Sequence, residues 1–236
     1  MDKKLITYQN SNIGDCSLRE PLVRAVLERL HREAGRQTVA LTRLLASFVA
    51  DKLVGRELTM SEEVSRLKDL YVPASPKQGQ FLFSVARSVQ AKRIVEFGTS
   101  FGVSTTYLAA AVRDNGGGIV IGSELEPNKV VAARRNIDEA GLSDFVEIRE
   151  GDAQQTLQDP GASVDMVFLD GFKQLYLPML QMLTPHLRRG AVVVADNIFT
   201  FRFALAPYVS YVQDHANGFV SMTLFLGDGT EYSLRL

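Results

Sequence analysis

Apolar positions recur with two different periods along this chain, and the change comes near residue 75. Before it the period is helical. In "LREPLVRAVLERLHREAG", Leu22, Val26, Leu27 and Leu30 share one face, and Gly35 ends the run. "TVALTRLLASFVADKLVG" repeats the period and stops at Gly55. "TMSEEVSRLKDLY" opens on Thr59 and carries Glu62 three positions later, the spacing of a capping box. Two prolines in "VPASPKQG" then break the pattern. Beyond it, "RIVEFG", "GIVIGSE", "FVEIREGD", "DMVFLD" and "AVVVADN" read as strands. Between them "QFLFSVARSVQ", "STTYLAAAVRD", "PNKVVAARRNIDEAG" and "YLPMLQMLTPHL" read as helices. Short apolar strands alternating with helices predict βαβ units and a mostly parallel sheet covered on both faces. After a helix-like "LAPYVSYVQDHAN", the tail "FVSMTLFL", "GDG" and "TEYSLRL" reads as a hairpin. The expected fold is α/β. It is a doubly wound, mostly parallel seven-stranded sheet with a terminal antiparallel hairpin. Residues 1–74 form a helical extension of the same unit, and 75–236 the main domain.

With 236 residues, 46% hydrophobic and 22% charged, the chain suits one sizeable domain. A net charge of −1 gives no basic excess for nucleic acid or an anionic membrane surface. Cys16 is the only cysteine, which excludes an internal disulfide and a thiolate zinc cluster. The opening "MDKKLITYQNSNIGD" lacks the apolar core of a secretory signal, and no apolar run approaches the ~20 residues of a membrane helix. A reducing, cytoplasmic setting is expected.

Acids stand where apolar strands end. In "RIVEFGTSFGVSTTYLA", Gly98 and Gly102 bracket Thr99, Ser100 and Phe101 between a strand and a helix start. Glycine permits close backbone approach, and the helix start offers unpaired N–H groups. The spacing is G-x-x-x-G rather than the G-x-G-x-x-G of dinucleotide sites. Glu96 beside the loop would repel a pyrophosphate but suit a cationic amine. Glu124 at the next strand end can accept two ribose hydroxyls, and Asp152 and Gln154 at the third can reach an adenine edge. S-adenosylmethionine has all three parts. Each acid taken alone reads equally as a solvated strand end, and a nucleotide-binding module without catalysis is the rival of another class.

These segments resemble the class I S-adenosylmethionine-dependent methyltransferases, and among them the metal-dependent O-methyltransferases of the catechol and caffeoyl-coenzyme A type. "SPKQGQFL" is similar to the start of the family's first core helix, "VEFGTSFGVST" to its cofactor loop, "SELEP" to its ribose acid and "GDAQ" to its adenine segment. "FLDGFKQLY" and "ADN" are similar to its metal and base segments. The resemblance, from Ser75 onward, implies Gly98, Ser100 and Ser104 near the methionine part, Glu124 at the ribose, and Ala153 and Gln154 at the adenine. It implies Asp170, Asp196 and Asn197 on a metal and Lys173 as general base. Two departures stand out. Gly171 and Phe172 lie between acid and base, and an aromatic loop without glycine, Ile198 to Pro207, follows the Asp-Asn pair.

Hard oxygen ligands from two strand ends suit Mg²⁺ first, and also Ca²⁺ or Mn²⁺. The three histidines, His31, His186 and His215, lie outside these segments. The implied reaction is in-line attack of an acceptor hydroxyl on the sulfonium methyl, with Lys173 taking the proton and Asp170 shared between metal and cofactor. Tyr71, Phe172, Phe199, Phe201 and Phe203 would either sandwich a planar acceptor or pack on the N-terminal helices. The apolar faces of those helices suggest a homodimer. A metal-independent N- or O-methyltransferase of the same fold is the alternative.

Overall fold

The structure is a computed structural model that describes residues 16–37 and 74–236, with residues 46, 47, 50, 51 and 55. Most of the second helical run, all of the third with its Thr59–Glu62 capping box, and Tyr71 lie outside the described residues. Helix α1, Pro21–Arg36, starts on a proline, whose missing N–H is one that no helix start can pair. It buries Val23, Val26, Leu27 and Leu30, whereas Leu22 is 59% exposed. Positions 22 and 23 both keep helical spacing to 26, 27 and 30, so the neighbouring helix decides which one is covered.

Helix α2, Pro76–Ser88, begins earlier than its apolar run suggests. Pro76 opens it, Ser75 Oγ accepts the Gln78 N–H at 3.3 Å, and Gln78 Oε1 accepts the Ser75 N–H at 2.9 Å. The proline that reads as a breaker is the first residue of a capped helix. Then follow β1 (Arg93–Phe97), α3 (Val103–Asp114), β2 (Ile119–Glu124), α4 (Pro127–Glu139) and β3 (Val146–Glu150). A four-residue helix α5 (Ala153–Thr156), β4 (Val164–Leu169), α6 (Tyr176–Leu183) and β5 (Leu187–Ala195) come next. Helix α7 (Arg202–Gln213), β6 (Phe219–Leu224) and β7 (Thr230–Arg235) complete the chain.

The seven strands form one sheet in the order β3-β2-β1-β4-β5-β7-β6. Among the described strands only β7 runs against its neighbours; the other pairings are parallel. The chain steps outward from β1 through β2 to β3, then returns to place β4 on the other side of β1. That reversal opens a crevice at the carboxyl ends of β1 and β4. Strand residues alternate between two cores. Ile94, Met166, Phe168, Val192 and Val194 join α1, α2 and α3 on one face. Val95, Phe97, Val167, Leu169, Val193 and Ala195 join α6 and α7 on the other. Burial on both faces explains the continuous apolar runs. The start of α1 is tied to the end of α3, where the Ser17 N–H meets the Asp114 carboxylate at 3.0 Å and Arg113 meets Glu20 at 2.8 Å. No helix among the described residues is long and apolar enough to cross a membrane.

Candidate active site at the carboxyl ends of the strands

The loop after β1 is held tightly to its neighbours. The N–H groups of Gly98 and Thr99 both donate to the Ser123 carbonyl, at 3.2 and 3.1 Å. Gly98 has φ +100, and a Cβ there would lie 2.8 Å from the Asp170 carbonyl. The glycine loop and the acid-bearing end of β4 are therefore in backbone contact, reinforced by the Asp170 N–H on the Phe97 carbonyl at 2.9 Å. Gly102, at φ +83, opens α3. Ser100 takes a left-handed φ of +50 and donates its N–H to Glu124 Oε2 at 2.8 Å. Glu124 Oε1 accepts the Glu126 N–H at 2.9 Å. A carboxylate has about four acceptor positions, so two remain for a ligand.

Glu96 lies on the α3 face of β1 and is fully buried. Its Oε2 accepts the hydroxyls of Thr99 and Thr105, while its Oε1 has no partner among the described residues. Burial raises its pKa to about 7, against the pull of the Thr105, Ser104 and Thr99 hydroxyls. A lone buried acceptor beside a glycine loop fits a donor, best a cationic one. At the end of β3, Asp152 Oδ1 caps α5 by accepting the Gln154 N–H at 2.9 Å. Ala153 is buried and Gln154 exposed. The Gly151 N–H on the Glu124 carbonyl, at 2.9 Å, joins this end to that of β2.

Asp170 and Asp196 follow directly on Leu169 and Ala195, which are paired in adjacent strands. Lys173 Nζ lies 3.3 Å from Asp170 Oδ1 and 2.9 Å from the Tyr176 hydroxyl. Burial raises the Asp170 pKa to about 7; Lys173 pulls it down, while Asp196 and Glu96 push it up. Burial also raises that of Asp196, against the Asn197 N–H, Lys173 and Gln78, with Asp228 adding to the rise. Asn197 stands beside them at φ +66, a conformation asparagine tolerates. Among the described residues no group of three or more His, Cys, Asp or Glu side chains forms a metal-ligand set. This corner offers two carboxylates and an amide.

Three residues here escaped the sequence reading. Gln78 Nε2 donates to Asp196 Oδ1 at 2.7 Å, so the amide that closes the α2 capping box also steadies the acid. The Ser-x-x-Gln spacing was the available signal. Tyr176, fully buried, stands three residues after Lys173 at the start of α6, a spacing that puts the two on one face. Asp228 lies in the β6–β7 turn, and only the tertiary fold brings it toward Asp196.

The segment expected as a loop from Ile198 to Pro207 is a short turn leading into α7, which contains Pro207. The hairpin turn takes up its backbone groups: Ile198 N–H meets the Gly229 carbonyl at 3.0 Å, and Phe199 N–H the Asp228 carbonyl at 2.9 Å. Thus satisfied, the chain enters a helix at Arg202. Phe199, Phe201 and Phe203 are 40%, 38% and 73% exposed, whereas Phe172 packs partly into the α6–α7 core. His31 meets the Tyr107 hydroxyl at 3.2 Å on α3, away from the acid pair.

A family model described as a methyltransferase domain matches residues 95–198, the stretch from the glycine loop to the Asp-Asn pair. A catechol O-methyltransferase of Niastella koreensis is 35% identical over 158 residues, covering 64% of this chain and 71% of its own. The chain belongs to the class I S-adenosylmethionine-dependent O-methyltransferases. A caffeoyl-CoA O-methyltransferase of Petunia hybrida is 25% identical over 202 residues, covering 78% of this methyltransferase and 83% of its own chain. The solved O-methyltransferase from Bacillus cereus in complex with SAH superimposes with a TM-score of 0.66 at 25% identity, covering 80% of this chain and 96% of that one. The methyltransferase is thus an enzyme of the catechol and caffeoyl-CoA type, with S-adenosylmethionine as methyl donor.

Proposed function

We propose that the enzyme methylates a hydroxyl of a small, catechol-like aromatic molecule, with Lys173 as general base and a divalent cation, Mg²⁺ first, held by Asp170, Asp196 and Asn197. The observation that carries this reading is the meeting of Lys173, Asp170 and Asp196 at two adjoining strand ends. The donor set fits the ion: hard oxygens, with two carboxylates whose pKa values are raised chiefly by burial, and Asp170 pushed further by Asp196. When bound, the cation supplies Lewis acidity that lowers a hydroxyl pKa and fixes its position.

Lys173 takes the acceptor's proton as the methyl–oxygen bond forms. Its side chain is 13% exposed and hemmed by the Tyr176 and Phe201 rings, 5.1 and 5.6 Å from Nζ. Phe201 and Phe199 form an apolar rim for a planar acceptor. On the cofactor side Gly98 and Gly102 admit the ligand close to the backbone, with Ser100 and Ser104 beside the methionine part. The orphaned oxygen of Glu96 takes the amino group. Glu124 keeps two acceptor positions for the ribose, and Asp152, Ala153 and Gln154 border the adenine.

One observation favours a metal-independent route. Lys173 already sits on Asp170, and Gln78 on Asp196, so part of the acid charge is balanced within the chain. Turnover of catechol with and without EDTA decides between the two. Activity lost with chelator and in Asp196→Ala supports the metal reading; unchanged activity in both removes it. Lys173→Met should cut turnover to a small residual rate in either case. We also propose that two copies pair, because Val220, Met222 and Leu234 are exposed on the terminal hairpin; a monomer in sedimentation equilibrium refutes this. The free Cys16 suits a reducing, cytoplasmic setting.

A further inference from the structure

We infer that Tyr176 is a positioning residue that aims the amine of Lys173 at the acceptor oxygen. This deepens the reading of Lys173 as base and rests on it. The Tyr176 hydroxyl has one proton, and donates it to the Asp196 backbone carbonyl at 3.3 Å. Toward Lys173, 2.9 Å away, it can therefore only accept. The ring itself has no freedom: it is fully buried, with Phe97 and Tyr208 packed edge-on at 6.4 and 5.7 Å between centroids. Lysine is a flexible side chain, and its base function depends on where the lone pair points.

Nζ has three tetrahedral directions beyond its bond to Cε, and when Lys173 acts as base one of them carries the lone pair and two carry N–H bonds. Asp170 Oδ1 takes one N–H and Tyr176 takes the other. The lone pair is then left in the single tetrahedral direction facing neither. With Asp170 alone, rotation about the Cε–Nζ bond offers two directions, one of them unproductive. The proton follows the same axis. It leaves the acceptor hydroxyl for Nζ as the acceptor oxygen gains the methyl and the methyl–sulfur bond breaks. The resulting ammonium keeps its two fixed N–H bonds, and the new one is later lost to water. The chain of contacts from Lys173 through Tyr176 to the Asp196 carbonyl also ties the base to the strand end that carries the second acid.

The test is Tyr176→Phe, which keeps the ring and removes only the hydroxyl. Turnover of catechol, or of whichever dihydroxyaromatic the native enzyme accepts, is measured beside SAH calorimetry. The kcat should fall between roughly 5-fold, one neutral hydrogen bond, and roughly 100-fold, the effect of a misplacement near 1 Å. The acceptor KM and the SAH affinity should stay within about twofold of native. Added to Lys173→Met, the same substitution should lower residual turnover no further, because Tyr176 acts through the lysine. An unchanged kcat in Tyr176→Phe, a loss confined to KM or to SAH binding, or a full additional loss in the double variant overturns the inference. If Lys173→Met itself turns over like the native enzyme, the lysine base fails and the inference falls with it, a result distinct from failure of Tyr176 alone.

Discussion

Gly171 stands between the acid and the base, and the structure gives a specific reason for a glycine there. Its φ is not among the positive values, so conformational freedom is not what requires glycine. Space is. A Cβ at this position would lie 2.4 to 2.6 Å from three atoms of the Phe97 ring. Ordinary carbon contacts are about 3.5–4.0 Å, so the ring would have to retreat by roughly 1 Å. It has little room, since Phe97 is 5% exposed and meets Tyr176 edge-on at 6.4 Å. Overpacking of this kind costs about 1–3 kcal/mol, and replacing glycine by alanine returns about 0.4–1 kcal/mol through the unfolded state. The net loss for Gly171→Ala is then about 1–2 kcal/mol, a fall in Tm of roughly 2–8 °C for a chain of this size. Because the displaced ring presses on Tyr176, kcat should fall as well. Thermal unfolding and catechol turnover read the two effects. The decisive comparison adds Phe97→Leu. Removing the ring opens the space, so the double variant should be less destabilised than the sum of the singles by about 1 kcal/mol. A Gly171→Ala protein with native Tm and kcat, or strict additivity with Phe97→Leu, would refute the steric account.

Glu96 sets a pH dependence. The unfolded chain releases this proton near pH 4.5 and the folded protein near 7, so the group's contribution to stability is complete below 4.5 and lost as pH rises to 7. The difference corresponds to about 3 kcal/mol. Urea unfolding should therefore show Glu96→Gln gaining on the native protein by about 2–3 kcal/mol between pH 5 and 8, and a constant difference would exclude the assignment. Native SAH affinity should tighten over pH 6 to 8, when the carboxylate meets the ligand's ammonium, and that of Glu96→Gln should not. Gln78→Ala should lower stability by about 1–2 kcal/mol through the lost cap and the lost bond to Asp196. Gln78→Glu keeps the cap acceptor but sets a second acid against Asp196, so at pH 8 without metal it should cost more; an equal or smaller loss would show that the Asp196 contact carries no weight.

The apolar runs and the glycines at 98 and 102 determined the strands, the βαβ order and the crevice, because burial on both faces writes a continuous apolar signature and a tight turn demands glycine. Acids in or just after such runs marked Glu96, Asp170 and Asp196, since charge in or beside a buried strand needs a reason; Glu96, expected at the strand end, lies inside β1, one residue before its last. Period alone could not separate Leu22 from Val23, nor show that Pro76 starts a helix, because each choice satisfies the same spacing until a neighbour covers one side. Local sequence likewise carried no sign that the hairpin turn would bring Asp228 to the Asp196 corner and release residues from 202 onward into a helix. Those contacts join positions some 30 residues apart, and Gln78 reaches Asp196 across 118. Residue types and their order determined which chemistry the chain carries. The packing of α2, β5 and the β6–β7 turn decided which atoms face one another, because side-chain partners at long separation are set by tertiary packing and not by local spacing.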